Sequence, residues 1–357
     1  MSTAHAVPIP FTFDYSGEGA NEGFNDPTLG ARRKESLELA ASRIGAVLER
    51  SYAGESIAVS ARFDPLGGTA TEAPIALGGF PFSVPTDAAG RWLGAALPGV
   101  PLGVPSTSYA PALANHVARR DLPLPAGTPS FEVQLVFNTD IDGAALGDSD
   151  FFYGDPRAGQ GAAPAGDIDF LTLAMHEIVH GLGFFSGLAA DGSYQGGRPF
   201  IFDRFLVNGD GDPLVGLTPA QRAAASTTEV VWNSEAGGGD EATSYTMYTP
   251  ATFVALSSLV HLDPQAFDDA LMSPAVEAGG VAVTRELSVP ERVMLADIGW
   301  TVRGVPEPGS WLLLAAGLAC WRGARRRGQG DASVGQPAAM AGGRSATRVA
   351  CSNAYAS

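Results

Sequence analysis

The sequence predicts an α+β fold, and three observations carry the prediction. Two segments alternate apolar and polar residues and are rich in β-branched types, SIAVSARF at 56–63 and EVQLVFN at 132–138. Three others, at 31–51, 110–120 and 167–185, hold runs with helical rather than alternating apolar spacing. The chain is also long and apolar enough to bury a sizeable core. Its 357 residues are 45% hydrophobic and 17% charged, which excludes wholesale disorder.

Taken in order, the first fifteen residues show neither a basic start nor a 7–15-residue apolar run, so no signal peptide is read there. In 31–51, Leu37, Leu39, Ala40, Ile44, Val47 and Leu48 fall largely on one helical stripe. A strand is expected at Ser56–Phe63. Residues 65–106 are rich in Gly, Pro and Thr and read as a hairpin or loop region. A short helix is expected over Ala110–Arg120, then a strand at Glu132–Asn138 with Val133, Leu135 and Phe137 on one face. A polar loop runs from Thr139 to Gly166. The strongest helix follows, FLTLAMHEIVHGLGFF, with Asp167 or Asp169 able to cap it. No repeat of 20–50 residues is present.

The net charge of −16 averages two unlike parts. Residues 1–302 carry 15 basic against 36 acidic side chains, or −21. Residues 303–357 carry seven arginines against Glu307 and Asp331, or +5. An acidic body of this kind offers no grip on nucleic acid. Both cysteines, Cys320 and Cys351, lie in the tail, so the body is not a disulfide scaffold. Two acidic fragments, Asp140-Ile-Asp142 and Asp210-Gly-Asp212, share pieces of a calcium loop without completing its twelve-residue pattern. Calcium is therefore only weakly supported, and Gly/Asp turns are the simpler reading.

Residues 176–180 read His-Glu-Ile-Val-His. On a helix, positions i and i+4 share one face, so His176 and His180 can bind one metal with Glu177 beside them. With five histidines and 16 glutamates in the chain, such a match arises by chance about 0.003 times. A structural zinc site fills four positions with Cys and His, and the body has no Cys. A catalytic zinc needs a third protein ligand and one open position. His5 sits in an irregular start, and His116 lies among aliphatics on an expected helix. His261, in SSLVHLDP, is taken as the third ligand ahead of His116.

The run continues His180-Gly-Leu-Gly183-Phe-Phe-Ser186, which resembles the metzincin pattern, with Ser186 where that pattern places a third ligand. The resemblance is better to leishmanolysin-like metalloproteases, in which an insertion precedes the third histidine. His261-Leu-Asp-Pro is followed by Ala270-Leu-Met272-Ser-Pro274, similar to that family's Met-turn, and 287–300 looks like its closing helix and strand. The resemblance implies a zincin-like domain over 1–303, a twisted mixed sheet plus an active-site helix. It implies one catalytic Zn²⁺ on His176, His180 and His261, Glu177 as general base, Met272 as a packed floor, and a peptide or protein substrate.

Residues 305–327 read VPEPGSWLLLAAGLACWRGARRR: a Pro-Glu-Pro turn, an eleven-residue apolar run at 311–321, then four arginines. The run is short of the roughly 17–25 residues that span a bilayer. The arginines behind it form a positive stop. This stretch, bounded at 304–328, resembles a PEP-CTERM sorting signal with a short hydrophobic helix. The resemblance implies export to the surface or exterior of a Gram-negative bacterium, transient membrane contact through 311–321, and processing by an exosortase. Residues 329–357, Gly/Ala/Ser-rich and aperiodic, read as a disordered tail. Two rival functions stand beside the peptidase: a non-catalytic, exopolysaccharide- or biofilm-associated surface protein with a vestigial metal site, and a metal-dependent hydrolase acting on another bond.

Overall fold

A computed structural model of the chain describes residues 7–94, 99–123, 127–143, 145–154, 163–237, 243–277, 284–303 and 348–350. Strand β1 (Phe11–Asp14) leads to helix α1 (Gly30–Val47), whose entry is fastened by Asp26 Oδ1 accepting the Thr28 and Leu29 N–H groups at 2.8 and 2.7 Å. Leu37, Ala40, Ala41 and Ile44 form its buried stripe, at the spacing of one helical face. The helix stops at Val47 rather than at 51. Beyond it the backbone turns extended, and Leu48 and Glu49 form bridges to Val302 and Pro8.

Strand β2 (Ile57–Asp64) alternates as expected, with Ile57, Val59, Ala61 and Phe63 buried. The segment expected as hairpin or loop supplies β3 (Ala76–Gly79) and β4 (Val84–Pro85), the latter paired antiparallel with β5 (Ser108–Tyr109). Helix α2 (Pro111–Ala118) follows and ends at Arg119, whose φ is 55°. Strand β6 (Val133–Asn138) is almost wholly buried, as befits a central strand. It runs parallel to β2 and antiparallel to β3, and the sheet order is β1-β2-β6-β3. Strand β3 is therefore an edge.

Two short strands, β7 (Phe151–Phe152) and β8 (Ile168–Asp169), pair in parallel just before helix α3 (Phe170–Gly181). Every residue of α3 is buried, and it packs against α1, β3 and β6. Its first residue, Phe170, stacks into a cluster with Phe24, Phe63 and Phe137, at 4.6 Å between the Phe137 and Phe170 ring centroids. Contacts of this kind add about 0.5–1.5 kcal/mol each beyond area burial. They seat the start of α3 on the sheet.

Beyond α3 come β9 (Leu206–Asn208), α4 (Pro219–Ala225), β10 (Val230–Asn233), α5 (Ser234–Gly237) and β11 (Ser244–Thr246). The three strands form an antiparallel sheet in the order β11-β10-β9. Strand β12 (Ala275–Glu277) precedes α6 (Val289–Ile298), which opens with a capping box between Ser288 and Glu291. Strand β13 (Arg348–Ala350) pairs antiparallel with β12. Those three residues depart from the disorder expected over 329–357; the rest of that tail, the apolar run 311–321 and its expected hydrophobic helix lie outside the described residues. So do residues 238–242, which follow α5. Among the described residues, no helix is long and apolar enough to cross a membrane.

The two acidic fragments serve as turn and ion-pair residues. Asp140 Oδ2 accepts the Gly67 N–H at 2.7 Å, and Asp142 pairs with Arg33 at 2.7 Å. The Asp210 and Asp212 N–H groups both donate to Asn208 Oδ1, closing a turn.

Candidate metal centre

Helix α3 is fixed at its start by Asp169, rather than Asp167, whose Oδ1 accepts the Thr172 N–H at 2.8 Å. Arg285 clamps the same carboxylate from a segment 116 residues away. At its far end Leu182 caps the helix and Gly183 turns the chain at φ 102°. A side chain there would be strained and would also meet Ala110 Cβ at 3.3 Å. The glycine lets the chain turn back beneath the last turn, so that the Phe184 carbonyl reaches His180.

That carbonyl accepts His180 Nδ1–H at 2.8 Å. The two other site histidines are held alike: His176 Nδ1 donates to Leu271 O at 2.7 Å, and His261 Nδ1 to Ser257 O at 2.9 Å. With each Nδ1 proton spent on a carbonyl, each Nε2 presents a bare lone pair. The three Nε2 atoms converge, at 3.0 Å between His176 and His180, 3.3 Å between His180 and His261, and 3.2 Å between His261 and His176. Three lone pairs facing one another repel unless a cation lies among them. All three rings are fully buried.

Burial disfavours their charged forms. It brings His176 down to about 4, and with the neighbouring His176 brings His261 to about 3. Burial and both ring neighbours hold His180 well below the ordinary histidine value. All three are thus neutral at pH 7, the form that ligates a metal. Among the described residues they are the group of His, Cys, Asp or Glu side chains placed to hold an ion.

Glu177, the residue after His176, is fully buried, and neither carboxylate oxygen has a hydrogen-bond partner among the described residues. Burial raises its carboxyl well above the ordinary glutamate range. The Gly78 backbone N–H partly offsets this by proximity, short of hydrogen-bonding geometry. A buried carboxylate without a partner is costly and calls for a cation or a proton donor nearby.

The candidate Met-turn residue, Met272, is fully buried. Its carbonyl accepts the Leu262 N–H at 2.9 Å, next to His261, and the preceding carbonyl holds His176. Ser186 is not directed to the metal centre; its hydroxyl donates to the buried Asp203 at 2.6 Å. His116 is buried elsewhere, bonded to Glu55 at 2.7 Å and Thr301 at 3.1 Å, and His5 lies outside the described residues.

Two contributors escape sequence reading. Gly78, in a segment with no strand pattern, lets β3 approach α3 so closely that a Cβ there would sit 2.3 Å from the Glu177 carbonyl oxygen. Glu291 buries its carboxylate against the Met272 N–H; its one signal is the Ser288-x-x-Glu291 capping spacing.

The segment leaving this centre is firmly tied. Trp300 Nε1–H donates to Leu182 O, the cap of α3, at 2.9 Å, and the Arg303 N–H donates to Val47 O at 2.7 Å. The next residue begins a recognisable signal. Residues 304–327 match the PEP-CTERM protein-sorting motif. A PEP-CTERM signal points to export and sorting to the cell surface in Gram-negative bacteria, and to recognition by an exosortase-type processing enzyme. The motif thus starts one residue past Arg303, whose N–H is tied to Val47. Neither a curated protein nor a solved structure matches the chain.

Proposed function

We propose that residues 1–303 form a zincin-like, zinc-dependent peptidase carried to the cell surface by its PEP-CTERM motif. The observation that carries this reading is the convergence of three bare Nε2 atoms beside a buried, unpartnered glutamate. His176, His180 and His261 would hold the ion, matching the three-ligand donor set of catalytic zinc. Zinc bound there supplies a Lewis acid for the scissile carbonyl and brings the pKa of a water toward about 7.

The protein residues supply the remainder of the chemistry. Glu177 accepts a proton from the attacking water and delivers it to the leaving amine, which a carboxylate lacking other partners is free to do. The three Nδ1–H bonds to backbone carbonyls keep the rings in one tautomer and orientation, so no reorganisation is needed when the site works. Strand β3 flanks Glu177 and, among the described residues, leaves its outer edge unpaired in the sheet, where an extended peptide can add by main-chain bonds.

Incubating the purified chain with zinc and a denatured casein-type substrate tests the proposal. Cleavage that a chelator stops and added zinc restores is the expected result. A chain that binds one zinc yet leaves the substrate intact instead supports a surface-binding role or hydrolysis of another bond.

A further inference from the structure

Glu291 does more than cap a helix. Its side chain is fully buried, and its two oxygens accept different backbone N–H groups. Oε2 accepts from Ser288 at 2.6 Å, which is the capping-box bond of α6. Oε1 accepts from Met272 at 2.5 Å, nineteen residues back, and no helix end requires that bond.

The Met272 N–H belongs to the same peptide unit as the Leu271 carbonyl, and that carbonyl holds His176 Nδ1–H at 2.7 Å. Carboxylate and imidazole therefore grip opposite ends of one peptide group. The peptides behind the other two ligands differ. The N–H paired with the Phe184 carbonyl, that of Phe185, donates to Gly183 O; the N–H paired with the Ser257 carbonyl, that of Ser258, donates to Val254 O. Both partners are neutral. A carboxylate acting on a peptide N–H polarises the group and strengthens the bond its carbonyl accepts. Carboxylate partners of metal-binding histidines act in this way, fixing the tautomer and raising the basicity of the ligating nitrogen.

We propose that Glu291 is a positioning residue that acts through the 271–272 peptide as the carboxylate partner of His176. It sets that ring's orientation and its donor strength toward a divalent metal. The Met-turn peptide is the conductor of this effect as well as a packed floor. This role rests on the metal-binding reading above.

The test compares Glu291→Gln with Ser288→Ala in the full chain. Glu291→Gln removes the charge and leaves one accepting oxygen; Ser288→Ala weakens the α6 cap without touching the Met272 bond. In the metal-free protein with labelled histidines, Glu291→Gln should shift the His176 Nδ1–H resonance upfield and leave those of His180 and His261 in place. Zinc affinity, read by competition with a chromophoric chelator, should fall about 10–100-fold. The visible bands of the Co²⁺-loaded protein should move. Ser288→Ala should lower the melting temperature and change none of the three. Should Glu291→Gln fail to fold, Glu291→Asp keeps the charge but shortens the reach and should give the same His176-only shift. A His176 resonance and zinc affinity equal to those of the unsubstituted chain would overturn the role. An unsubstituted chain that binds no zinc overturns the metal reading first, and this role with it.

Discussion

Three of the four described histidines, His176, His180 and His261, share one arrangement: Nδ1 on a backbone carbonyl, Nε2 toward the other rings. His116 does not, and the contrast sets it apart from the three candidate ligands. Its Nδ1 meets the buried carboxylate of Glu55, and Trp300 lies against its ring at 4.7 Å between centroids. His116→Ala should leave zinc content at one per chain and cost about 3–5 kcal/mol of stability, because Glu55 is left buried without its partner. His261→Ala should lose the zinc; metal analysis beside denaturant unfolding reads both. Zinc lost from His116→Ala instead would reverse the assignment. The spacing His176-x-x-x-His180 and the scarcity of histidine make these ligands legible in the chain. The carbonyls that orient the rings are not, since any residue type supplies a carbonyl and only the fold decides which one arrives.

Legibility at the level of elements follows burial pattern. Strand β2 alternates with one buried face and coincides closely with its expected span. Helix α1 carries a clean stripe, and only its end is misplaced, because bridges to Pro8 and Val302 take over the backbone where apolar residues continue. Strand β3 is the element that sequence conceals. Its four residues, ALGG, have weak strand propensity and sit among Gly, Pro and Thr. Those glycines are nonetheless what the site requires, since Gly78 backbone rests against Glu177. Gly78→Ala places a Cβ 2.6 Å from Glu177 Oε2, forcing strand and helix apart. Peptide cleavage should fall by about 10²-fold with zinc retained, because displacement of about 1 Å suffices for that loss. A steady-state assay paired with metal analysis measures it, and unchanged kcat/KM would show that β3 plays no part in placing Glu177.

At the scale of the whole molecule, the acidic body runs into the sorting motif at residue 304. Residues 300–303 belong structurally to the body: Trp300 is buried against the end of α3, Thr301 bonds His116 and Glu49, and Arg303 bonds Val47. The PEP-CTERM motif begins at 304. A chain ending at 303 loses, of the described residues, only the three of β13 paired with β12, and should keep its zinc and a melting temperature close to that of the full chain. One ending at 299 loses a buried Trp worth about 3–5 kcal/mol and should lose both or melt well below it. Equal melting of the two would mean that the sorting motif reaches into what is here taken as body. The charge split, −21 against +5, leaves most of the acidic side chains on the body and puts four of the tail's arginines, Arg322, Arg325, Arg326 and Arg327, within the sorting motif. The central claim is that one zinc and one carboxylate make this surface-sorted body a peptidase. The most direct measurement is cleavage of denatured casein by Glu177→Ala, with bound zinc determined on the same sample. One zinc per chain with cleavage abolished is the expected result; cleavage retained at the level of the unsubstituted chain would contradict it.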